Sequence, residues 1–512
     1  MGPLDDDRAL LEGIIELATR YLLDPPAGDD PVISLASPAE LIGVFGDSVG
    51  LAFAESVDAA DPAAMLTAVE QIIEYSMHTS HPRFVNQNFA GPDPISVVGD
   101  WLGASLNTTG ATFEVAPVFT LMESAILTKL GRIAGYVDDA GAPADGQLQD
   151  LPPGIFAAGG SMGTLLGLQL ARHRHQPDIA TAGANGDRLV LFVSTSGHYA
   201  AAKSAAILGI GSEAVIKVEA DASGQMIPAA LDAAIADAKS AGQTPFCVIA
   251  TSGTTVTTAF DDLHAVADTC EAHGLWMHVD GCYGGSALFS KTHAHLMAGV
   301  ERSDSFVWNL HKMMGMTQQC TALLVKDPTR LAPCFAAKAD YLFQSDKLYG
   351  EYDSGDRTFQ CARRIDVLKL WLAWKARGDA GFEERIDHAF DMIEYTRKRI
   401  ADSDGALVPV VTGKFTSSVF AWLPPHLRTL GRTPEGELDV AALTEAQHRE
   451  LHVLPPKIKA GMQADGSGMI GYQPIHGLNT FRMIAMSPTV QTSDVDALLD
   501  AIISGGEAAV RE

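Results

Sequence analysis

Between about residues 155 and 330, short apolar runs alternate with Ala-rich stretches of helical periodicity. The runs 189–193, 215–218, 246–250, 275–279, 306–308 and 321–325 predict strands, and 199–208, 228–241 and 264–273 predict helices between them. Strand–helix alternation at this spacing predicts an α/β domain with a mostly parallel central sheet covered on both faces. Ligands in such sheets bind beyond the carboxyl ends of the strands, so the polar residues just after each run carry extra weight. Ahead of this region, 8–22 and 62–77 predict helices separated by a Pro/Gly/Asp-rich joint at 24–31. Beyond residue 380 the pattern changes. Helices over 380–401, 439–451 and 492–503 stand beside apolar runs 417–422 and 480–486, which predicts a smaller α+β domain.

Composition narrows the function. The chain has 512 residues, 47% hydrophobic and 19% charged, which describes a globular protein with a large core. A net charge of −27 argues against nucleic-acid or anionic-membrane partners. Residues 1–7 carry neither a basic nor an apolar region, so no secretory signal is expected, and no run of about 18 apolar residues predicts a membrane span. Six scattered cysteines without a C-x-x-C pair fit reduced thiols in the cytoplasm; neither a disulfide framework nor a metal site is expected.

Two residues at predicted strand ends carry candidate chemistry. Asp280 follows the run 275–279 and precedes Gly281, Cys282 and Tyr283; Lys312 follows the run 306–308 in Asn309-Leu310-His311-Lys312. Such a pair suits pyridoxal phosphate (PLP): the lysine forms a Schiff base, and the carboxylate keeps the ring nitrogen protonated so that the ring accepts electrons. The plainer alternative is two solvated side chains at loop starts. Gly159-Gly160-Ser161-Met162-Gly163 opens a helix and suits a phosphate. It lacks the G-x-G-x-x-G spacing of a dinucleotide site, and no preceding strand is evident.

At this point several ordered blocks resemble the group II PLP-dependent amino-acid decarboxylases, in the glutamate and cysteine-sulfinate branch. They include His81-Pro-Arg-Phe, Glu114-Val-Ala-Pro-Val-Phe, Asn309-Leu-His-Lys-Met-Met-Gly, Tyr341-Leu-Phe-Gln, Tyr352-Asp-Ser-Gly-Asp and Gly471-Tyr-Gln-Pro. The resemblance implies the aspartate-aminotransferase-like fold (fold type I) and a homodimer with shared active sites. It divides the chain into a dimerising segment (1–105), a large PLP-binding domain (106–378) and a small C-terminal domain (379–512). It also implies Lys312 as the Schiff-base lysine, Asp280 at the ring nitrogen, and His198 stacked on the ring. Gly160 and Ser161 are implied at the phosphate, with Thr251, Cys282, Asn309 and His311 around the cofactor. Arg482 and Gln87 would orient the amino-acid substrate, and Tyr349, on the loop 344–356, would return a proton after CO2 leaves; Tyr352 is the rival for that role.

Departures from the family pattern bear on outcome and substrate. Leu310 stands for a usual Pro, and Gly281-Cys282-Tyr283 for Ala-Ala-Trp. These leave open decarboxylation coupled to oxidation, or aldol-type cleavage, beside simple α-decarboxylation. Ala111 stands where glutamate decarboxylases carry an aromatic ring, and Phe89 looks like the cysteine-sulfinate branch. Both argue against glutamate as the preferred substrate; the expected substrate is an acidic or polar amino acid, cysteine sulfinate-, aspartate- or glutamate-like, or a larger analogue.

Overall fold

A computed structural model describes residues 3–46, 48–53, 55–137, 151–337, 339, 342–344 and 346–511. Tyr341, which opens one of the recognition blocks, and Ser345 of the 344–356 loop lie outside the described residues. The chain divides into two compact units: residues 1–94, 392–410 and 418–512 form one, and residues 95–391 and 411–417 the other.

The strands in chain order begin with β1 (Phe84–Val85). Then come β2 (Gly154–Ala157), β3 (Leu189–Ser194), β4 (Val215–Val218), β5 (Thr244–Thr251), β6 (Trp276–Asp280), β7 (Ser305–Asn309) and β8 (Thr321–Val325). Strands β2 to β8 form a seven-stranded sheet in the order β2-β8-β7-β6-β5-β3-β4. Every neighbouring pair from β7 to β4 is parallel, and β8 runs against both β7 and β2. Strands β6, β7 and β8 are buried at every residue, which is why they read as unbroken apolar runs. Their Trp276, Val307, Leu323 and Val325 pack with Leu166 and Leu170 from the helix Gly160–His175, and with Leu191 and Ile249, in one core. The expected mostly parallel α/β sheet is therefore present.

Two expectations need correction. A strand does precede the glycine-rich stretch: β2 is only four residues long and pairs antiparallel with β8, so it gives no alternation signal. Further on, the helix expected to stop at residue 451 runs over Glu445–Asp465, through Pro455 and Pro456. Burial of Leu454, Pro455 and Ile458 outweighs the cost of proline inside a helix, about 3 kcal/mol.

In the other unit, β11 (Met469–Ile475) and β12 (Leu478–Ile484) follow β9 (Leu407–Val411) and β10 (Ser417–Trp422) in the chain. They build a five-stranded sheet in the order β1-β11-β12-β10-β9, beside helices Glu445–Asp465 and Thr492–Ala509.

Candidate active site

Asp280 is the last residue of β6, in register with Thr251 at the end of β5 and Val307 on β7. All three strands run the same way, so Asp280, Thr251 and the turn after Asn309 gather at one edge of the sheet. Asp280 is 8% exposed, and its Oδ1 accepts from the Cys282 N–H at 3.2 Å. Asp261 holds Thr251 in place by accepting its N–H at 2.8 Å and that of Met226 at 2.7 Å. Burial raises the Asp261 pKa to about 6. Lys312 sits in the turn after β7, its N–H bonded to the Asn309 carbonyl at 3.2 Å. Its Nζ lies 5.9 Å from the centre of the Tyr283 ring, and Tyr283 is fixed from behind by a 2.8 Å bond to Thr416 Oγ1.

Two further elements complete this edge. The helix Gly160–His175 begins at Gly159, whose φ of 87° favours glycine. Gly163 closes the first turn on the Gly159 carbonyl, leaving the N–H groups of Gly160, Ser161 and Met162 at the helix start. A Cβ at Gly160 would stand 2.5 Å from Cys282 Sγ and 2.7 Å from Asn309 Nδ2, so glycine lets these side chains pack against the helix start. Asn309 is fixed in turn by Thr321 Oγ1, which donates to its Oδ1 at 2.9 Å. The loop after β3 carries His198, and a Cβ at Gly197 would lie 3.6 Å from Thr251 Oγ1. His198 Nδ1 accepts the Ala200 N–H at 3.2 Å. Burial lowers the His198 pKa; Asp280 pulls it back up, and Lys312 and Lys203 push it further down. His198, Asp280 and Lys312 thus share one electrostatic environment.

The remaining groups at this edge are held neutral. His311 Nδ1 lies 2.9 Å from the Cys320 carbonyl, and burial depresses its pKa to about 4. Burial beside Asp280 raises the Cys282 thiol well above its ordinary value, which suits packing rather than attack.

Pyridoxal phosphate fits these residues. The start of a sixteen-residue helix, floored by Gly160 and carrying the exposed Ser161, suits a phosphate. Thr251 Oγ1 and Ser252 Oγ are buried hydroxyls with no hydrogen-bond partner among the described residues, as expected of groups that serve a ligand.

Tyr349 is 56% exposed and left-handed (φ 62°), with its ring 5.3 Å from Phe113. Tyr352 also meets Phe113, at 5.5 Å. Ala111 is buried, and its carbonyl accepts from the N–H groups of Ser354 (3.1 Å) and Gly355 (2.8 Å). In the unit that contains β1, β11 and β12, Arg482 on β12 donates from Nη2 to the Asn86 carbonyl at 3.1 Å. This brings it to the segment bearing Gln87 and Phe89, with the Phe89 ring 5.7 Å from Phe84. Sequence reasoning treated Tyr283 only as a departure from pattern and missed its ring against Lys312. Its place three residues after Asp280 was the available signal.

A mostly parallel sheet that gathers a lysine, a buried carboxylate and a glycine-floored helix start defines a PLP enzyme of fold type I. Comparison with known proteins identifies the family. The model of the pyridoxal-dependent decarboxylase conserved domain matches residues 51–419. Acidic amino acid decarboxylase GADL1 of Bos taurus is 43% identical over 450 residues, covering 87% of this chain and 82% of that protein. Human (Homo sapiens) cysteine sulfinic acid decarboxylase is 42% identical over 443 residues, covering 86% and 85%. The crystal structure of mouse CSAD aligns with a TM-score of 0.88 at 37% identity, covering 99% of both chains. The chain belongs to the pyridoxal-dependent decarboxylase family and is a PLP-dependent amino-acid decarboxylase.

Proposed function

We propose that the enzyme removes CO2 from the α-carbon of a short acidic amino acid, with cysteine sulfinate and aspartate ahead of glutamate. The observation that carries this reading is Arg482, a half-buried guanidinium bonded to the Asn86 carbonyl, next in the chain to Gln87. A guanidinium fork suits a carboxylate or sulfinate. Similarity to relatives named for acidic amino acids and for cysteine sulfinic acid supports the same choice.

In this mechanism Lys312 would hold the cofactor, and the Gly160–Ser161 helix start would bind its phosphate. When bound, the cofactor supplies a conjugated ring that takes up the electron pair left on Cα as CO2 departs. Asp280 holds a proton on the ring nitrogen, and the largely buried setting of Asp280 and Thr251 excludes competing water. Burial lowers the His198 pKa, and its ring would cover the cofactor when bound. Arg482 and Gln87 orient the substrate, and Tyr349 Oη returns a proton to Cα.

We further propose a cytoplasmic homodimer with shared active sites, keeping 1–105, 106–378 and 379–512 as its dimerising, cofactor and C-terminal parts. Exposed Leu11, Ile42, Phe53, Ile72, Leu102 and Leu106 in the first part support a covered apolar surface. Six free cysteines support a reducing compartment.

The test is CO2 release from cysteine sulfinate, aspartate and glutamate by the PLP-loaded enzyme. Higher kcat/KM for the two shorter acids is expected; preference for glutamate, or for an aromatic amino acid, would overturn the substrate choice.

A further inference from the structure

The residues around Tyr349 form a fastening with no part in the cluster around Lys312. Asp353 Oδ1 accepts the Phe113 N–H at 2.7 Å, and Asp353 Oδ2 lies 3.1 Å from Lys347 Nζ. Lys347 Nζ also reaches Glu114 at 3.4 Å and the Leu342 carbonyl at 3.3 Å. The side chains of Lys347 and Asp353 are only 9% and 7% exposed. Next along the chain, Ser354 Oγ donates to the Gly110 carbonyl at 2.8 Å, while the Ser354 and Gly355 N–H groups share the Ala111 carbonyl. Residues 353–355 are thereby zipped, bond by bond, to residues 110–113. Between the two arms of the fastening, the Phe113 ring meets both Tyr349 and Tyr352.

A carboxylate accepting a backbone N–H makes a short, strong bond, and removing one partner of a buried ion pair leaves an uncompensated charge. The exposed, left-handed Tyr349 has little else to define its place. We propose that Asp353, braced by Lys347, is a positioning residue that seats the loop carrying Tyr349 on the segment 110–114. This rests on the reading of Tyr349 as proton donor. In this arrangement Asp353 touches neither substrate nor cofactor. It fixes where the Tyr349 hydroxyl can travel, and so governs the proton-return step while leaving cofactor and substrate binding alone. It also couples the Ala111 segment to that step, because both hang on the same bonds.

The experiment compares PLP-loaded wild type, Asp353→Asn, Lys347→Met, Lys347→Arg and Tyr349→Phe, with cysteine sulfinate or whichever acid turns over best. Asp353→Asn keeps an acceptor for the Phe113 N–H but drops the charge facing Lys347. Its expected kcat falls roughly 10- to 100-fold, the size of loss that slight misplacement of a reacting group causes. KM and bound-cofactor absorbance should stay at the wild-type level. The solvent deuterium isotope effect on kcat should rise, because proton return becomes rate-limiting. Lys347→Met should behave in the same way and Lys347→Arg should recover most of the loss, which guards against one variant failing to fold. Wild-type kcat in both Asp353→Asn and Lys347→Met, with Tyr349→Phe inactive, would overturn the proposal alone. A lower kcat with an unchanged isotope effect would also overturn it, since that marks general loosening. Wild-type turnover in Tyr349→Phe would remove the parent reading, and this proposal with it.

Discussion

The edge of the large sheet and the 346–356 loop hold their side chains in opposite ways. At the sheet edge, Asp280, Thr251 and Asn309 are each buried at a strand end, and their neighbours are strands, helix starts and other fixed side chains. On the loop, Tyr349 is exposed and left-handed, with its ring against Phe113 and the fastening several residues away. The difference matches the two tasks proposed above for these regions. Holding a cofactor ring in one plane needs groups set by rigid elements, whereas a proton donor must let substrate in and product out.

Substitutions can break this comparison. The largest expected effect is Lys312→Ala, which should reduce turnover to background and remove the absorbance of covalently held cofactor, with the fold intact by circular dichroism. Substantial turnover in that variant would move the chemistry off the sheet edge. Next comes Tyr349→Phe, expected to lower amine formation on the order of 10²- to 10⁴-fold with cofactor absorbance preserved. Tyr352→Phe should stay within a few-fold of wild type; the reverse ranking would exchange the two tyrosines.

Gly160→Ala sharpens the rigid side. A Cβ would meet Cys282 Sγ and Asn309 Nδ2 at 2.5 and 2.7 Å, so the helix start must shift. Weaker PLP affinity by titration is expected, roughly 5- to 150-fold for an overpacking cost of about 1–3 kcal/mol. Unchanged affinity would show that the packing at Gly160 does not matter to the cofactor.

The smallest expected effect concerns pH. Burial holds His278 and His311 at pKa values of about 4, below the ordinary 6.5. The unfolded chain therefore binds more protons than the folded one as pH falls from about 6.5 to 4, and stability should fall through that window. Above about pH 7 this contribution is complete and constant. A melting temperature flat between pH 7 and 4 would contradict this.

Much of the rigid side was legible in the sequence. Strands buried on both faces leave unbroken apolar runs, and the residues just past them, Asp280 and Lys312, announced themselves by position. The packing of Cys282 and Asn309 onto Gly160 was not legible, because it joins residues more than a hundred positions apart. Strand β2 was too short to show a period, and Pro455 hid the second half of a helix that tertiary packing sustains. On the loop side the sequence named Tyr349 and Tyr352 but not what seats them. Asp353 and Lys347 look like ordinary surface charges until the fold buries them beside Phe113 and Glu114.

The claim that the sheet edge carries the cofactor through Lys312 has a direct test. Borohydride reduction of the PLP-loaded enzyme fixes the cofactor's carbon permanently to the amine that holds it, and peptide mass mapping then locates it. A pyridoxyl-phosphate mass on the peptide containing Lys312, stoichiometric with the chain, is predicted. The same mass on another lysine, with the Lys312 peptide unmodified, would contradict the account.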